Sequence, residues 1–291
     1  MTTNKNDRTL DSKRLIDAWE LIQQTSDNGD DLHPDSYRLA FTDPEFLLRR
    51  ELRGVRLQLE LLKPELAQQQ HQIDHTVVVY GSARVQSPEA VQALLATARE
   101  QGDQATLQKA EQLQRGARYY EDARSFARIV ARHSHGKPRE QHFYICTGGG
   151  PGIMEAANRG ASEAGEPTIG LNITLPHEQS FNPYITPGLS FKFHYFALRK
   201  MHFMMRAKAL VTFPGGFGTL DELFEILTLV QTGKSKPVPI VLYNSHYWQR
   251  LLHLDVLVEE GMIEPESLRL FRYADTPEEA WAHIAEFYRL A

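Results

Sequence analysis

Residues 199–222 read RKMHFMMRAKALVTFPGGFGTLDE, and this stretch decides the predicted fold. Residues 199–206 carry side chains at helical spacing. Residues 209–213 (ALVTF) have the β-branched and aromatic character of a buried strand. Residues 214–218 (PGGFG) form a glycine-rich turn, and a second helical pattern begins at Leu220. The predicted order is therefore helix, strand, glycine turn, helix.

The glycine turn is the first candidate ligand site. A strand, a turn and a helix in this order leave unpaired backbone N–H groups at the positive end of a helix dipole, where a phosphate binds well. The missing Cβ atoms of Gly215, Gly216 and Gly218 let an anion approach the backbone closely. The alternative is a tight turn without a ligand. A second glycine loop in the chain favours the ligand.

Composition limits the class of protein. The chain has 291 residues, 42% of them hydrophobic, and is long enough to bury a full core. Its 32 Lys and Arg against 37 Asp and Glu give a net charge of −5, without the basic excess of a nucleic-acid binder. A signal-peptide core and a long apolar run are both lacking, and Cys146 has no second cysteine to pair with. We expect a soluble cytoplasmic protein that binds neither nucleic acid nor membranes.

Two parts are predicted: a helical N-terminal extension, residues 1–72, and an α/β domain with the glycine loops, residues 73–291. The extension has one amphipathic stripe (Leu15, Ala18, Trp19, Ile22). Residues 42–45 (TDPE) predict a helix start. Pro64 and the glutamines at 68–70 predict a linker. Two interpretations of the extension stay open: an oligomerisation or regulatory arm, and helices that pack on the flank of the core.

The rest of the chain alternates strands and helices. Residues 88–133 predict polar helices separated at Gly102, and residues 277–290 predict a last helix. The apolar runs predict buried strands at 76–80, 142–147, 168–173, 190–196, 209–213 and 239–243. Short connections between such elements predict an α/β fold with a Rossmann-like doubly wound parallel sheet.

Two further loops leave predicted strands where such folds bind ligands, at the carboxyl ends. Ser82 follows the first strand and offers a hydroxyl to a phosphate or sugar. Residues 148–152 (GGGPG) follow the second. They do not form the dinucleotide fingerprint, because Ile153 occupies a position that needs glycine and no acidic residue ends the next strand. A NAD-type enzyme is therefore disfavoured.

A metal site is not expected. The pairs His133 with His135 and His194 with His202 lack a third ligand at a suitable spacing.

Glu222 and Arg199 each have two interpretations. Thr219 and Glu222 fit a capping box, in which the glutamate folds back onto the helix start. The alternative turns the Glu222 carboxylate toward a ligand sugar. Arg199 is either a surface arginine or a ligand contact. Spacing alone leaves both choices open.

The motifs taken together resemble the Lonely Guy (LOG) family. Residues 214–222 match its P-G-G-x-G-T-x-x-E signature, and Arg199 with Lys200 matches its second signature in type and spacing. The Ser82 turn and the 148–152 loop also fall where that family has them, so the likeness covers about residues 75 to 260. The long N-terminal part and residues 88–133 depart from the compact family pattern.

The resemblance implies a Rossmann-like fold, a homodimer or higher oligomer, and no cofactor. It implies hydrolysis of the N-glycosidic bond of nucleoside 5′-monophosphates, such as AMP or cytokinin ribotides. Arg199 and Glu222 would be catalytic: Glu222 supports an oxocarbenium-like sugar and a water, and Arg199 acts electrostatically. The implied substrate-binding residues are Ser82, Gly149, Gly150, Met154, Lys200, Gly215, Gly216, Gly218 and Thr219.

The preferred base stays open beside this expectation, and so does the class of protein. The base pocket is assigned to Met154 and the loop 175–184. The alternatives are a broad-specificity purine and pyrimidine nucleosidase and a non-catalytic nucleotide or cofactor carrier. Related proteins carry the label lysine decarboxylase, but no lysine here has a pyridoxal-phosphate context.

Overall fold

The run TVVVY at residues 76–80 forms the central strand β1 (Thr76–Tyr80) of a computed structural model that describes residues 38–174 and 181–290. All five residues of β1 are buried, as expected for a strand covered on both faces. The other strands are β2 (Tyr144–Thr147), β3 (Thr168–Ile173), β4 (Ser190–Phe193), β5 (Ala207–Thr212), β6 (Ile240–Tyr243) and β7 (Arg272–Ala274).

The described strands form one parallel sheet in the order β4-β3-β2-β1-β5-β6-β7. The chain builds outward from β1 to β4 and then crosses back to place β5 on the other side of β1. This reversal is a topological switch point, where the loops after two neighbouring strands diverge and leave a crevice. Tyr80 and Thr212 are register partners there, at the carboxyl ends of β1 and β5. The predicted Rossmann-like doubly wound fold is confirmed.

The described helices are α1 (Pro44–Leu48), α2 (Arg53–Gln70), α3 (Pro88–Gln101), α4 (Gln104–Ser134), α5 (Ile153–Glu163), α6 (Phe196–Met205), α7 (Phe217–Gln231), α8 (Ser245–Leu251), α9 (Asp255–Glu259) and α10 (Pro277–Tyr288). The predicted division of residues 88–133 is confirmed. Ser87 caps α3, Gly102 ends it in the left-handed conformation (φ 65°), and Asp103 caps α4. No helix in the described ranges has the length and apolar character needed to cross a bilayer.

Alternate residues of the strands face two separate cores. Val77 and Val79 pack in one cluster with α4 and α5, and Val78 and Tyr80 pack in a second cluster on the opposite face. Full burial of each valine contributes about 1.5–3 kcal/mol. The second cluster is the one that reaches α6 and α7, so it supports the helices on either side of the glycine turn.

The chain divides into two compact units, Met1–Arg56 and Leu57–Ala291. In the described part of the first unit, α1 begins as residues 42–45 predicted. The Asp43 carboxylate accepts a hydrogen bond from the Phe46 N–H at 3.0 Å, and Pro44 is the first helical residue. The predicted stripe of Leu15, Ala18, Trp19 and Ile22 lies outside the described residues.

The predicted linker at Pro64 and the glutamines is wrong. Helix α2 continues through Pro64 to Gln70, and Gln68 is 2% exposed, with its amide donating to the Pro64 carbonyl at 3.2 Å. A proline inside a helix removes one backbone hydrogen bond. Packing compensates, because the α2 residues Leu57, Leu61 and Ala67 lie against the second core. The predicted domain boundary after residue 72 therefore falls within the second compact unit.

A two-pronged ion pair also fixes α2 in the second unit. The Arg206 guanidinium contacts both carboxylate oxygens of Glu65, at 2.6 and 2.8 Å, and donates through Nε to the Ile73 carbonyl at 2.8 Å. Bidentate geometry of this kind is the stronger form of an arginine–carboxylate contact. It joins α2 to the end of α6.

Candidate active site

A cleft of about 810 Å³ opens at the switch point of the sheet. Its walls are the glycine turns that follow β1, β2 and β5, together with the starts of α5, α6 and α7. Of the predicted site residues, the cleft is lined by Ser82, Gly150, Met154, Arg199, Gly215, Gly216, Gly218, Thr219 and Glu222.

The turn after β5 leaves its backbone donors free. Helix α7 begins at Phe217, and its first described backbone bond runs from the Leu220 N–H to the Gly216 carbonyl at 3.0 Å. The N–H groups of residues 215–219 donate to no other described residue. These donors stand at the positive end of the α7 dipole, which makes the turn suited to an anion.

Neighbouring loops hold this turn in place. The Tyr247 hydroxyl donates to the Gly215 carbonyl at 2.7 Å, and the Ser82 N–H donates to the Pro214 carbonyl at 3.1 Å. The second bond ties the turn after β1 to the turn after β5 across the switch point. The Ser82 hydroxyl accepts from the Arg84 N–H at 3.1 Å and keeps its own proton available for a ligand.

The capping-box interpretation of Thr219 and Glu222 is wrong. The residue preceding α7 is Gly216, with no side-chain cap, and Thr219 and Glu222 both lie inside the helix. Thr219 instead packs over Gly215, where an added Cβ would collide with the threonine side chain. Gly215 is therefore needed for close packing of the turn, and Glu222 is free to face the cleft.

Glu222 is a buried carboxylate with few partners. It is 7% exposed, and its Oε1 atom lies 3.4 Å from Nη1 of Arg199. Burial raises the pKa of Glu222 above its ordinary value, and the nearby charges of Arg199 and Lys200 offset part of that rise. A carboxylate with a raised pKa inside a cleft is suited to accept a proton near neutral pH.

Arg199 is fixed on three sides. Its Nε donates to the Leu171 carbonyl of β3 at 2.7 Å, and its guanidinium carbon lies 5.1 Å from the centre of the Phe203 ring. On another side lies the backbone of Gly148, where an added Cβ would be 2.6 Å from Nη2 of Arg199. Gly148 must lack a side chain for the guanidinium to occupy this position.

The helix that carries Arg199 is capped from α2. The two carboxylate oxygens of Glu60 accept the N–H groups of His194 at 3.0 Å and Tyr195 at 3.1 Å, just before α6 begins. A carboxylate at this end satisfies free donors and complements the helix dipole. Glu60 thus fixes the start of α6, one turn before Arg199.

A buried polar network shapes the loop after β2. The Asn158 amide accepts from the Thr147 hydroxyl at 2.6 Å and from the Asn182 amide at 3.0 Å, and donates to the Thr168 hydroxyl at 2.6 Å. Asn182 also donates to the Gly150 carbonyl at 3.1 Å. All four polar residues are at most 3% exposed, so this buried network fixes the loop at residues 148–152, which precedes Met154.

Two predicted binding residues lie outside the cleft lining. Gly149 donates its N–H to the Thr147 hydroxyl at 2.9 Å. Lys200 pairs with Asp221 at 2.8 Å and Glu225 at 2.7 Å, across α6 and α7. Their substrate contacts stay predictions. In the loop assigned to the base pocket, residues 175–180 lie outside the described residues.

Several residues at the site were not predicted. Gly148, Tyr80, Ile173, Phe196 and Tyr247 all line the cleft. Gly148 is the first glycine of the GGG run, so the sequence contained a signal for it. The others come from separate elements and become neighbours only through the fold. Among the described residues, no group of three or more His, Cys, Asp or Glu is arranged to hold a metal ion.

Comparison with known proteins places this site in a family. A profile described as "Possible lysine decarboxylase" matches residues 154–284, which include Arg199 and Glu222. The chain is 31% identical over 141 residues to "Probable cytokinin riboside 5'-monophosphate phosphoribohydrolase LOG6" of Arabidopsis thaliana. That match covers 48% of this chain and 70% of the relative.

The chain belongs to the LOG family.

In two other relatives the match covers a smaller share of the relative's length. Identity is 36% over 90 residues to "Probable cytokinin riboside 5'-monophosphate phosphoribohydrolase LOGL3" of Oryza sativa subsp. japonica, covering 31% of this chain and 43% of the relative. The chain is also 30% identical over 143 residues to LOGL2 of the same plant, and this match covers 48% of this chain and 57% of the relative. This LOG family member thus spans about half the length of these two relatives.

Two solved structures match the chain at low similarity. The Moco carrier protein of Chlamydomonas reinhardtii is 18% identical, with a TM-score of 0.44, covering 75% of this chain and 99% of that protein. The molybdenum cofactor binding protein of Rippkaea orientalis is 19% identical, with a TM-score of 0.42, covering 58% and 88%.

Proposed function

We propose that this LOG family member hydrolyses the N-glycosidic bond of nucleoside 5′-monophosphates, releasing a free base and ribose 5-phosphate. The observation that carries the proposal is the pairing of Arg199 with Glu222 in a cleft whose floor is a turn of free backbone donors. The names of the plant relatives support the same reaction class.

The 5′-phosphate would bind the N–H groups of residues 215–219. The α7 dipole and the close approach allowed by Gly215, Gly216 and Gly218 favour an anion there. Ser82 and Thr219 also line the cleft, and their hydroxyls would supply further donors. With its anionic tail held by the turn, the sugar would lie beside Glu222.

The base would then extend past Arg199 toward an apolar wall. Met154, Ile173 and Phe196 line the cleft, and Phe196 lies three residues before Arg199 on the same helix. Flat aromatic bases stack well on such side chains. This arrangement suits a nucleobase as the leaving group.

The bond cleavage uses two charged groups. As the C1′–N bond breaks, its electron pair leaves with the base and positive charge develops on the ribose. Glu222 would stabilise that charge, orient a water for attack on C1′ and accept its proton. Arg199 would balance the negative charge on the departing base and align the Glu222 carboxylate. The base takes up a proton from solvent to leave as a neutral molecule, and Glu222 returns the proton of the attacking water to solvent. No step requires a cofactor.

One assay tests the proposal. Pure protein is incubated with AMP, GMP, CMP, UMP and isopentenyladenosine 5′-monophosphate, and the free base and ribose 5-phosphate are quantified by chromatography. We expect equal amounts of both products from at least one nucleotide. Release from all five would identify a broad nucleosidase. Binding of a nucleotide without release of base would identify a carrier and overturn the proposal.

A matched pair of variants tests the assignment of Glu222. Glu222→Gln should bind nucleotide and release base at least about 100-fold more slowly. Glu100→Gln makes the same chemical change at an exposed carboxylate of α3, outside the cleft lining. It should retain activity within about twofold. Equal activity in both variants would remove Glu222 from the mechanism.

The homodimer stays a prediction. Light scattering tests it, since each chain has a mass of 33.2 kDa.

A further inference from the structure

Tyr80 has a buried hydroxyl group with no hydrogen-bond partner. It ends β1 at the switch point, lines the cleft, and is 5% exposed. Its hydroxyl oxygen makes no hydrogen bond to any described residue. Leaving such a group unsatisfied is unfavourable, and buried groups of this kind usually have a functional or solvent explanation.

The Tyr80 ring is held close to the catalytic pair. It packs edge-on against Phe203, with the ring centres 5.0 Å apart. The Arg199 guanidinium lies over the same Phe203 ring. Phe203 therefore contacts both Tyr80 and Arg199, and its ring holds the Tyr80 ring in place.

The phenol is a proton donor in this environment. Burial raises the pKa of Tyr80 well above its ordinary value, and the charge of Glu222 raises it further. Tyr80 therefore keeps its proton at neutral pH. Tyr80 and Glu222 line the same cleft, and a protonated phenol can donate a hydrogen bond to a carboxylate.

The Glu222 carboxylate can accept a further hydrogen bond. Its contact with Arg199 is long, at 3.4 Å, and a carboxylate accepts about four hydrogen bonds. The described titratable groups that act on Glu222 are Arg199 and Lys200 from α6 and Asp221 and Glu225 from its own helix. All four of these are charged side chains, whereas Tyr80 offers a neutral donor from β1.

We propose that Tyr80 is a positioning residue whose hydroxyl donates to the Glu222 carboxylate when a nucleotide occupies the cleft. The hydrogen bond fixes the rotamer of Glu222 and favours its charged form, the form that accepts a proton from water. This inference rests on the proposed function of Glu222.

The test compares Tyr80→Phe with Thr212→Val. Tyr80→Phe keeps the ring on Phe203 and removes the hydroxyl. Thr212→Val removes the other partnerless hydroxyl at the same level of the sheet, on the neighbouring strand and outside the cleft lining. Steady-state rates of base release are measured from pH 4 to 9, with circular dichroism to verify folding.

We expect Tyr80→Phe to lower kcat about tenfold or more while KM changes less than about twofold. The acidic limb of its pH profile moves to higher pH, because loss of a donor to the charged form raises the pKa of Glu222. Thr212→Val keeps the wild-type profile. An unchanged limb and kcat in Tyr80→Phe would overturn the proposal, as would the same loss in both variants.

Failure of the proposed function gives a different result. If wild-type protein releases no base from any nucleotide, Tyr80 is judged by the ¹³C NMR titration of the Glu222 carboxyl with ribose 5-phosphate present. A Tyr80→Phe titration at higher pH than wild type supports the hydrogen bond. Identical titrations overturn it.

Discussion

Nη1 of Arg199 lies 3.4 Å from Oε1 of Glu222, while Nε of the same arginine is held by the Leu171 carbonyl at 2.7 Å. The guanidinium therefore connects the end of β3 to the carboxylate on α7. Its planar set of donors makes both contacts at once. A single ammonium group cannot reproduce this geometry.

Arg199→Lys should lower kcat for base release by about 100-fold or more, because the ammonium cannot hold Leu171 and Glu222 together. Stopped assays of free base measure the loss. Arg128→Lys, a remote exchange in an ion pair with Glu163, should change the rate less than about twofold. An active Arg199→Lys would show that charge alone suffices.

Glu222→Gln should make the protein more stable at neutral and alkaline pH. Burial raises the pKa of Glu222 above 4.5, so wild type loses stability as pH rises through that raised value. The neutral amide avoids this loss, and the difference disappears below pH 4.5. Urea unfolding at pH 4 and pH 8 measures it. A variant less stable at pH 8 would mean that pairing with Arg199 outweighs burial.

Gly148→Ala should displace the Arg199 guanidinium, since the added Cβ would lie 2.6 Å from Nη2. We expect kcat to fall about tenfold or more with the fold retained. Gly116→Ala is the matched control. Gly116 lies inside α4, and its added Cβ would have one neighbour within 4 Å, a methyl group of Val85 at the ordinary contact distance of 3.7 Å. That exchange should leave activity unchanged and add about 0.5–1 kcal/mol of stability. Equal activity in both variants would contradict the close contact.

Asn158→Ala should destabilise the protein by about 3 kcal/mol, because Thr147, Thr168 and Asn182 would lose a buried partner. Chemical denaturation measures the loss. Thr97→Ala removes an exposed hydroxyl on α3 and should cost less than about 0.5 kcal/mol. A cost for Asn158→Ala as small as that of the control would mean that water replaces the amide.

The pattern of residues along the sequence was sufficient to predict the longer strands and helices of the fold. Strand β1 and strand β3 lie at the predicted residues, because runs of buried β-branched side chains identify a central parallel strand. Strand β7, with three residues, was not predicted, since so short a run has no periodicity to read. The predicted strand at residues 190–196 ends at Phe193, where Glu60 starts the next helix.

Contacts between distant parts of the chain decided the remaining points. Pro64 and the glutamines indicated a linker locally, but packing of α2 on the core kept the helix intact. The spacing of Thr219 and Glu222 fitted a cap as well as a cleft, and only the start of α7 at Phe217 separates the two. Tyr80 gave no local signal, because its importance comes from Glu222, 142 positions later in the sequence.

The carboxylate of Glu60 has a practical consequence for protein engineering. A shortened version starting at residue 73, the boundary that composition suggests, would remove the cap that orients the helix of Arg199 and the acidic partner of Arg206. Such a truncate could fold around an intact sheet and still be inactive. Trimming for biochemical work should therefore stop before Leu57.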